Sequence, residues 1–140
     1  MSRILLIEDD TTLRRALRLG LEKSGHQIME AGNGREGIAA FRTTPADLVV
    51  TDLIMPEVEG VETIRSLREM SARVPILAIS GGGRGSPRDY LHIARHLGAN
   101  QVLEKPFEID AFRTVIATLL AIPTEAPARA ETASPIQPAP

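Results

Sequence analysis

The chain predicts an α/β fold built on a parallel sheet, and three features of its pattern point there. Short apolar runs near 3–8, 27–31, 47–52, 74–80 and 101–104 alternate with helix-length amphipathic stretches, the rhythm of successive β/α units. The runs Ile4-Leu5-Leu6-Ile7 and Ile76-Leu77-Ala78-Ile79 are unbroken, as expected of strands covered on both faces. Polar residues close the runs: Glu8 and Asp9 the first, Asp52 the one at Leu48-Val49-Val50-Thr51, Ser80 the one at Ile76–Ile79, and Lys105 the one at Val102-Leu103-Glu104.

The helices follow from periodicity and from their stop signals. Residues 11–24 place Leu13, Ala16, Leu17 and Leu21 on one stripe, with Asp10 as N-cap and Gly25 as the stop. Asn33 caps a helix over 34–43, and a helix over 59–70 would bury Val61, Ile64 and Leu67. Ser86, Pro87 and Asp89 have the order of an N-cap, a first helical residue and its third, opening a fourth helix. Ile109, Phe112, Val115, Ile116 and Leu119 repeat at helical spacing over 108–121. Pro75 suits the first residue of a strand, where its missing N–H costs no ladder bond. Residues 123–140 differ in kind: five of these eighteen are proline and five alanine, with no apolar period, so a disordered tail is expected after a folded unit over 1–122.

Composition narrows the function. A chain of 140 residues suffices for one domain with a proper core. Its formal net charge of −2 supplies no global field favouring nucleic acid. With no cysteine there can be no disulfide, thiolate metal site or thiol nucleophile. The four apolar residues after Met1-Ser2-Arg3 are too few for a signal segment or a membrane span, so a cytoplasmic protein is expected. Of sixteen Lys and Arg residues only Lys23 and Lys105 are lysine, and one of those two stands at a strand end.

In an open α/β sheet ligands bind beyond the carboxyl ends of the strands. Parallel strands would therefore bring Glu8, Asp9, Asp52, Ser80 and Lys105 to one crevice. Three carboxylates there repel one another unless a cation neutralises them. Oxygen ligands of this kind suit Mg²⁺ when a phosphate shares the metal, and a lysine and a hydroxyl are the further donors a phosphoryl group needs. The set reads as a carboxylate that accepts a phosphoryl group. Taken singly each residue has a plainer use: Asp10 as a cap, Glu8 and Asp9 as solvated turn residues, Lys105 as a surface charge. The glycine run Gly81-Gly82-Gly83-Arg84-Gly85 lacks the Gly-Lys-Ser/Thr ending of a phosphate-binding loop. His92 and His96 are four apart on the predicted fourth helix, an arrangement most often found at a surface, and no transition metal is assigned to them.

Four motifs in order, Ile4-Leu5-Leu6-Ile7-Glu8-Asp9-Asp10, Asp52-Leu53-Ile54-Met55-Pro56 with Gly60, Ile79-Ser80-Gly81 and Lys105-Pro106-Phe107, resemble the receiver domains of two-component response regulators across residues 3–121. The resemblance implies a doubly wound, flavodoxin-like fold with five parallel strands in order 2-1-3-4-5. It implies Asp52 as phosphoacceptor, charged from a phosphohistidine on a sensor histidine kinase or a histidine phosphotransfer protein. It further implies Mg²⁺ held by Asp9, Asp52 and the Ile54 backbone carbonyl, with Glu8 acting through water. Ser80 and Lys105 would bind phosphoryl oxygens, and the Lys105–Pro106 bond would be cis.

The sequence also departs from the family pattern. Val102 occupies the position, three residues before the lysine, where such proteins usually carry Tyr or Phe. No output-type segment follows residue 121, so signalling through an unidentified protein target is expected, without direct DNA binding and without a membrane. Two rival classes remain at this level. A haloacid-dehalogenase-like phosphatase would carry its nucleophile on the first strand in an Asp-x-Asp pattern, whereas Asp9 is followed by Asp10 and Thr11. A pseudo-receiver would be an interaction module that is never phosphorylated.

Overall fold

The computed structural model describes residues 1–53, 57–81, 92 and 95–121. Five strands, β1 (Arg3–Ile7), β2 (Gln27–Ala31), β3 (Leu48–Asp52), β4 (Ile76–Ser80) and β5 (Gln101–Glu104), form one sheet in the order β2-β1-β3-β4-β5, with every neighbouring pair parallel. Between them run α1 (Thr11–Lys23), α2 (Gly34–Thr43) and α3 (Glu57–Met70), and α4 (Ile109–Ala121) follows β5.

Side-chain alternation along the strands divides the interior into two cores, which explains why the apolar runs are unbroken. Leu5, Ile7, Val49, Ile76 and Ala78 turn to one face and meet Phe41 of α2 and Ile64 and Leu67 of α3. Ile4, Leu6, Leu48, Val50, Leu77 and Ile79 turn to the other and meet Leu17 and Leu21 of α1 and Phe112, Ile116 and Leu119 of α4. The edge strand β2 carries exposed Gln27 and Glu30, so its run is less apolar than those of the central strands.

The end signals act as read. Asp10 Oδ1 accepts from the Leu13 N–H at 3.1 Å, and Asn33 Oδ1 from the Glu36 N–H at 2.9 Å. Gly25 takes φ +93° and donates to the Glu22 carbonyl at 2.9 Å. Three details differ. Ala16 is exposed, and Gly20 takes its place on the buried side of α1 because α4 packs there. Helix α3 begins at residue 57 rather than 59. The β4 ladder begins at Ile76, while Pro75 contributes only its carbonyl, which accepts from the Val49 N–H at 2.9 Å. The predicted helix start at Ser86–Asp89, most of the glycine run and the proline-alanine tail lie outside the described residues.

At the amino ends of β4 and β5, Arg68 of α3 ties the loops together. Its guanidinium donates to the Gly98 carbonyl at 2.8 and 3.0 Å, to the Val74 carbonyl at 2.7 Å, to the Ser71 carbonyl at 3.2 Å and to Asn100 Oδ1 at 2.8 Å. Gly98 is required there twice over. Its φ is +115°, and a Cβ would come within 3.0 Å of Arg68 Nε.

Candidate functional site at the carboxyl ends of the strands

Glu8 is the first residue beyond the β1 ladder and is fully buried. Its N–H donates to the Ala31 carbonyl at 3.1 Å, and its Oε2 accepts from the Asp10 N–H at 3.1 Å. Asp52 ends β3, buried between β1 and β4. Asp9 stays exposed. Ligand atoms of Glu8, Asp9 and Asp52 all lie within 4.8 Å of one another.

Lys105 reaches this cluster from the segment after β5. Its backbone N–H donates to the Ser80 carbonyl at 2.7 Å, anchoring it to the end of β4. Its Nζ donates to Asp52 Oδ2 at 3.2 Å and lies 3.4 Å from Glu8 Oε1. The Lys105–Pro106 peptide bond is cis. Ser80 closes β4 and is buried, and its Oγ has no hydrogen-bond partner among the described residues. Buried hydroxyls are nearly always satisfied, so an orphan at a strand end suits an acceptor that arrives with a ligand.

The electrostatics are those of crowded acids. Burial, then a hydrogen bond to Asp52 and the Asp52 charge, push the Glu8 carboxyl from 4.5 up to about 8, against the opposing pull of the Asp10 N–H and Lys105. Burial by itself would lower the Lys105 ammonium. The Asp52 and Glu8 charges and the hydrogen bonds to both outweigh it and leave the pKa raised, so Lys105 is charged throughout the physiological range. Three carboxyl groups face one ammonium, so ionising all three leaves the cluster short of positive charge. All-oxygen donors with an excess of negative charge fit a hard divalent cation such as Mg²⁺.

Sequence reasoning named Glu8, Asp9, Asp52, Ser80 and Lys105, and the fold brings all five to the same end of the sheet. Ile54, named as a carbonyl ligand, lies outside the described residues. Arg14 and Glu30 escaped notice at that level. Arg14 Nη1 donates to the Glu8 carbonyl at 2.8 Å, and Arg14 Nε to Glu30 Oε1 at 3.0 Å. The available signal was a basic pair, Arg14 and Arg18, four apart on α1, opposite an acid in the edge strand β2. Gly60, by contrast, was part of a quoted motif and has a steric reason: a Cβ there would lie 3.2 Å from the backbone of Leu53, next to Asp52.

The family model for the response regulator receiver domain matches residues 4–117. KdpE, the KDP operon transcriptional regulatory protein of Escherichia coli, is 38% identical over 109 residues, which cover 78% of this chain and 47% of that protein. The response regulator receiver protein CpdR of Brucella abortus is 34% identical over 116 residues, covering 78% of this chain and 88% of CpdR. Several curated relatives are transcriptional regulators, and the chain spans about half their length. Among solved structures, a putative response regulator from Chloroflexus aurantiacus superposes with a TM-score of 0.79 at 24% identity, covering 86% of this chain and 98% of that one, which bears on the fold alone. With four ordered motifs, a 2-1-3-4-5 parallel sheet and a family match over nearly the whole folded part, this chain belongs to the response regulator receiver domains of two-component signal transduction.

Proposed function

We propose that this receiver domain is a phosphorylation-controlled switch whose phosphoacceptor is Asp52. The observation that carries the reading is the Lys105 ammonium shared between Asp52 and Glu8, at the mouth of a three-carboxylate cluster. The donor would be a phosphohistidine on a sensor histidine kinase or a histidine phosphotransfer protein. An Asp52 carboxylate oxygen attacks phosphorus; the new P–O bond forms as the P–N bond breaks and the imidazole departs. Transfer of this kind depends on positioning and charge neutralisation more than on covalent chemistry. Asp9, Asp52 and the Ile54 carbonyl, with Glu8 acting through water, would hold Mg²⁺, which would supply positive charge to the phosphoryl oxygens. Lys105 holds one of those oxygens and Ser80 donates to another. Formation of the acyl phosphate removes the carboxylate charge that Lys105 now pairs with, so Lys105 and Ser80 re-aim toward the phosphoryl group and bias the surface beyond β4 and β5.

In this reading the protein turns over no separate substrate, works in the cytoplasm and signals through a protein target. Among the described residues no helix is long and apolar enough to cross a membrane. The test is intact-mass measurement after incubation with acetyl phosphate and Mg²⁺. The wild type should gain one phosphoryl group, and Asp52→Asn should gain none, because an amide is not a comparable nucleophile. Full phosphorylation of Asp52→Asn would refute the assignment. A wild type that stays unmodified would favour a constitutive interaction module instead.

A further inference from the structure

The Glu8 carbonyl lies past the end of the β1 ladder, and the partner it finds is a side chain. Arg14, six residues further on in α1, folds back across the acidic turn and donates to that carbonyl at 2.8 Å. The guanidinium is itself held. Its Nε donates to Glu30 Oε1 at 3.0 Å, and Glu30 Oε2 lies 3.3 Å from Arg18 Nε. A Cβ on Gly32 would approach Arg14 Nη1 to 3.3 Å, so the guanidinium rests close to the backbone beyond β2. Glu8 is thus held through its backbone and Oε2, while its Oε1 has no hydrogen-bond partner among the described residues and lies 3.4 Å from Lys105 Nζ. Its N–H goes to Ala31, its carbonyl to Arg14, and its Oε2 to the Asp10 N–H.

We infer that Arg14, oriented by Glu30, is a positioning residue for the cation site: it fixes the Glu8 backbone and so aims the Glu8 and Asp9 carboxylates. This inference rests on the Mg²⁺ site of the proposed function. The contact with Glu30 is partly exposed, Arg14 keeping 19% of its side chain accessible and Glu30 33%, so the pair contributes little as a surface ion pair. Its consequence lies in where the remaining N–H groups point. Groups behind metal ligands orient them, and losing one commonly weakens metal binding by about 10- to 100-fold.

Calorimetric titration of Mg²⁺ into the phosphoryl-free protein tests this without relying on activity. Arg14→Met keeps the aliphatic stem and removes the donors; its Mg²⁺ Kd should rise about tenfold. Arg14→Lys restores a single donor and should fall between Arg14→Met and the wild type. Glu30→Gln should weaken Mg²⁺ by a smaller factor and carries the same comparison should Arg14→Met fail to fold. In the metal-free protein, the amide resonances of Asp9 and Asp10 should shift in Arg14→Met. Phosphorylation by acetyl phosphate should slow at low Mg²⁺ and recover at saturating Mg²⁺. Arg68→Ala, which loosens the opposite end of the sheet, is the stability control and should leave the Mg²⁺ Kd unchanged. A Kd within about twofold of wild type in both Arg14→Met and Glu30→Gln overturns the inference, as does an equal loss in Arg68→Ala. If the wild type itself neither binds Mg²⁺ nor gains a phosphoryl group, the proposed function falls first and takes this inference with it.

Discussion

Glu8 is the residue on which the chemistry of the site turns. Its carboxyl is pushed up to about 8 by burial and by Asp52, while the unfolded chain would titrate near 4.5. Between those values the folded, metal-free protein keeps a proton that the unfolded chain has lost. The unfolded state then binds fewer protons than the folded one, so stability declines as pH rises through this window. A cation works the opposite way, because it favours the ionised carboxylate and must displace the proton to bind fully. The increase in melting temperature caused by Mg²⁺ should therefore be small at pH 5.5 and grow toward pH 8.5. A thermal-shift series at constant ionic strength measures this; an Mg²⁺ increment that does not vary with pH would contradict the account. Val102 matters at the same scale. It is half-buried against the core shared with α3, and a valine there offers no ring whose swing could report the phosphorylated state.

At the scale of elements, the two ends of the sheet do different work. The carboxyl ends carry the candidate site, and the amino ends are tied by Arg68. Four of its five donor contacts go to backbone carbonyls in the loops before β4 and β5, and the fifth goes to Asn100 Oδ1, which also accepts from the Ile76 N–H at 2.9 Å. Burial lowers the Arg68 pKa, yet a guanidinium stays charged at any physiological pH. Arg68→Ala leaves several of these acceptors short of a donor and should destabilise the fold by about 2–3 kcal/mol. Arg68→Lys should recover little of that, since one ammonium cannot span the spread of oxygens that the planar fork reaches. Urea midpoints measure both, and a lysine variant as stable as the wild type would show that charge, not geometry, is what these loops need.

Over the whole molecule, the strand order makes the site. Placing β1 beside β3 and β4 beside β5 brings residues 8, 52, 80 and 105 to adjacent strand ends, although they are far apart in the chain. His92, Arg95 and His96 are exposed. The composition of residues 123–140 offers no apolar period with which to join either core. Truncation after Ile122 should accordingly leave the melting temperature within a degree or two and leave phosphoryl uptake unchanged. A fall of many degrees would mean that this segment packs on the domain.

The fold class, the five strands, the helices among the described residues, and the convergence of five residues at one end of the sheet were readable from the chain because each rests on local physics. Unbroken apolar runs such as Ile4–Ile7 can only be satisfied between two covering layers, a parallel sheet aims the polar residues that end such runs at one edge, and Asp10 and Asn33 cap helices through bonds three residues long. Boundaries slipped by a residue or two where the decisive bond came from elsewhere, as at Pro75, or where another helix chose the buried side, as at Ala16 and Gly20. The raised Glu8 carboxyl, the Lys105 ammonium between two acids, the Arg68 tie and the Arg14 contact with the Glu8 carbonyl were set by tertiary structure. They depend on distances between groups brought together from separate elements, and on how much water the packing leaves around them. Neither quantity exists until the strands have found their order.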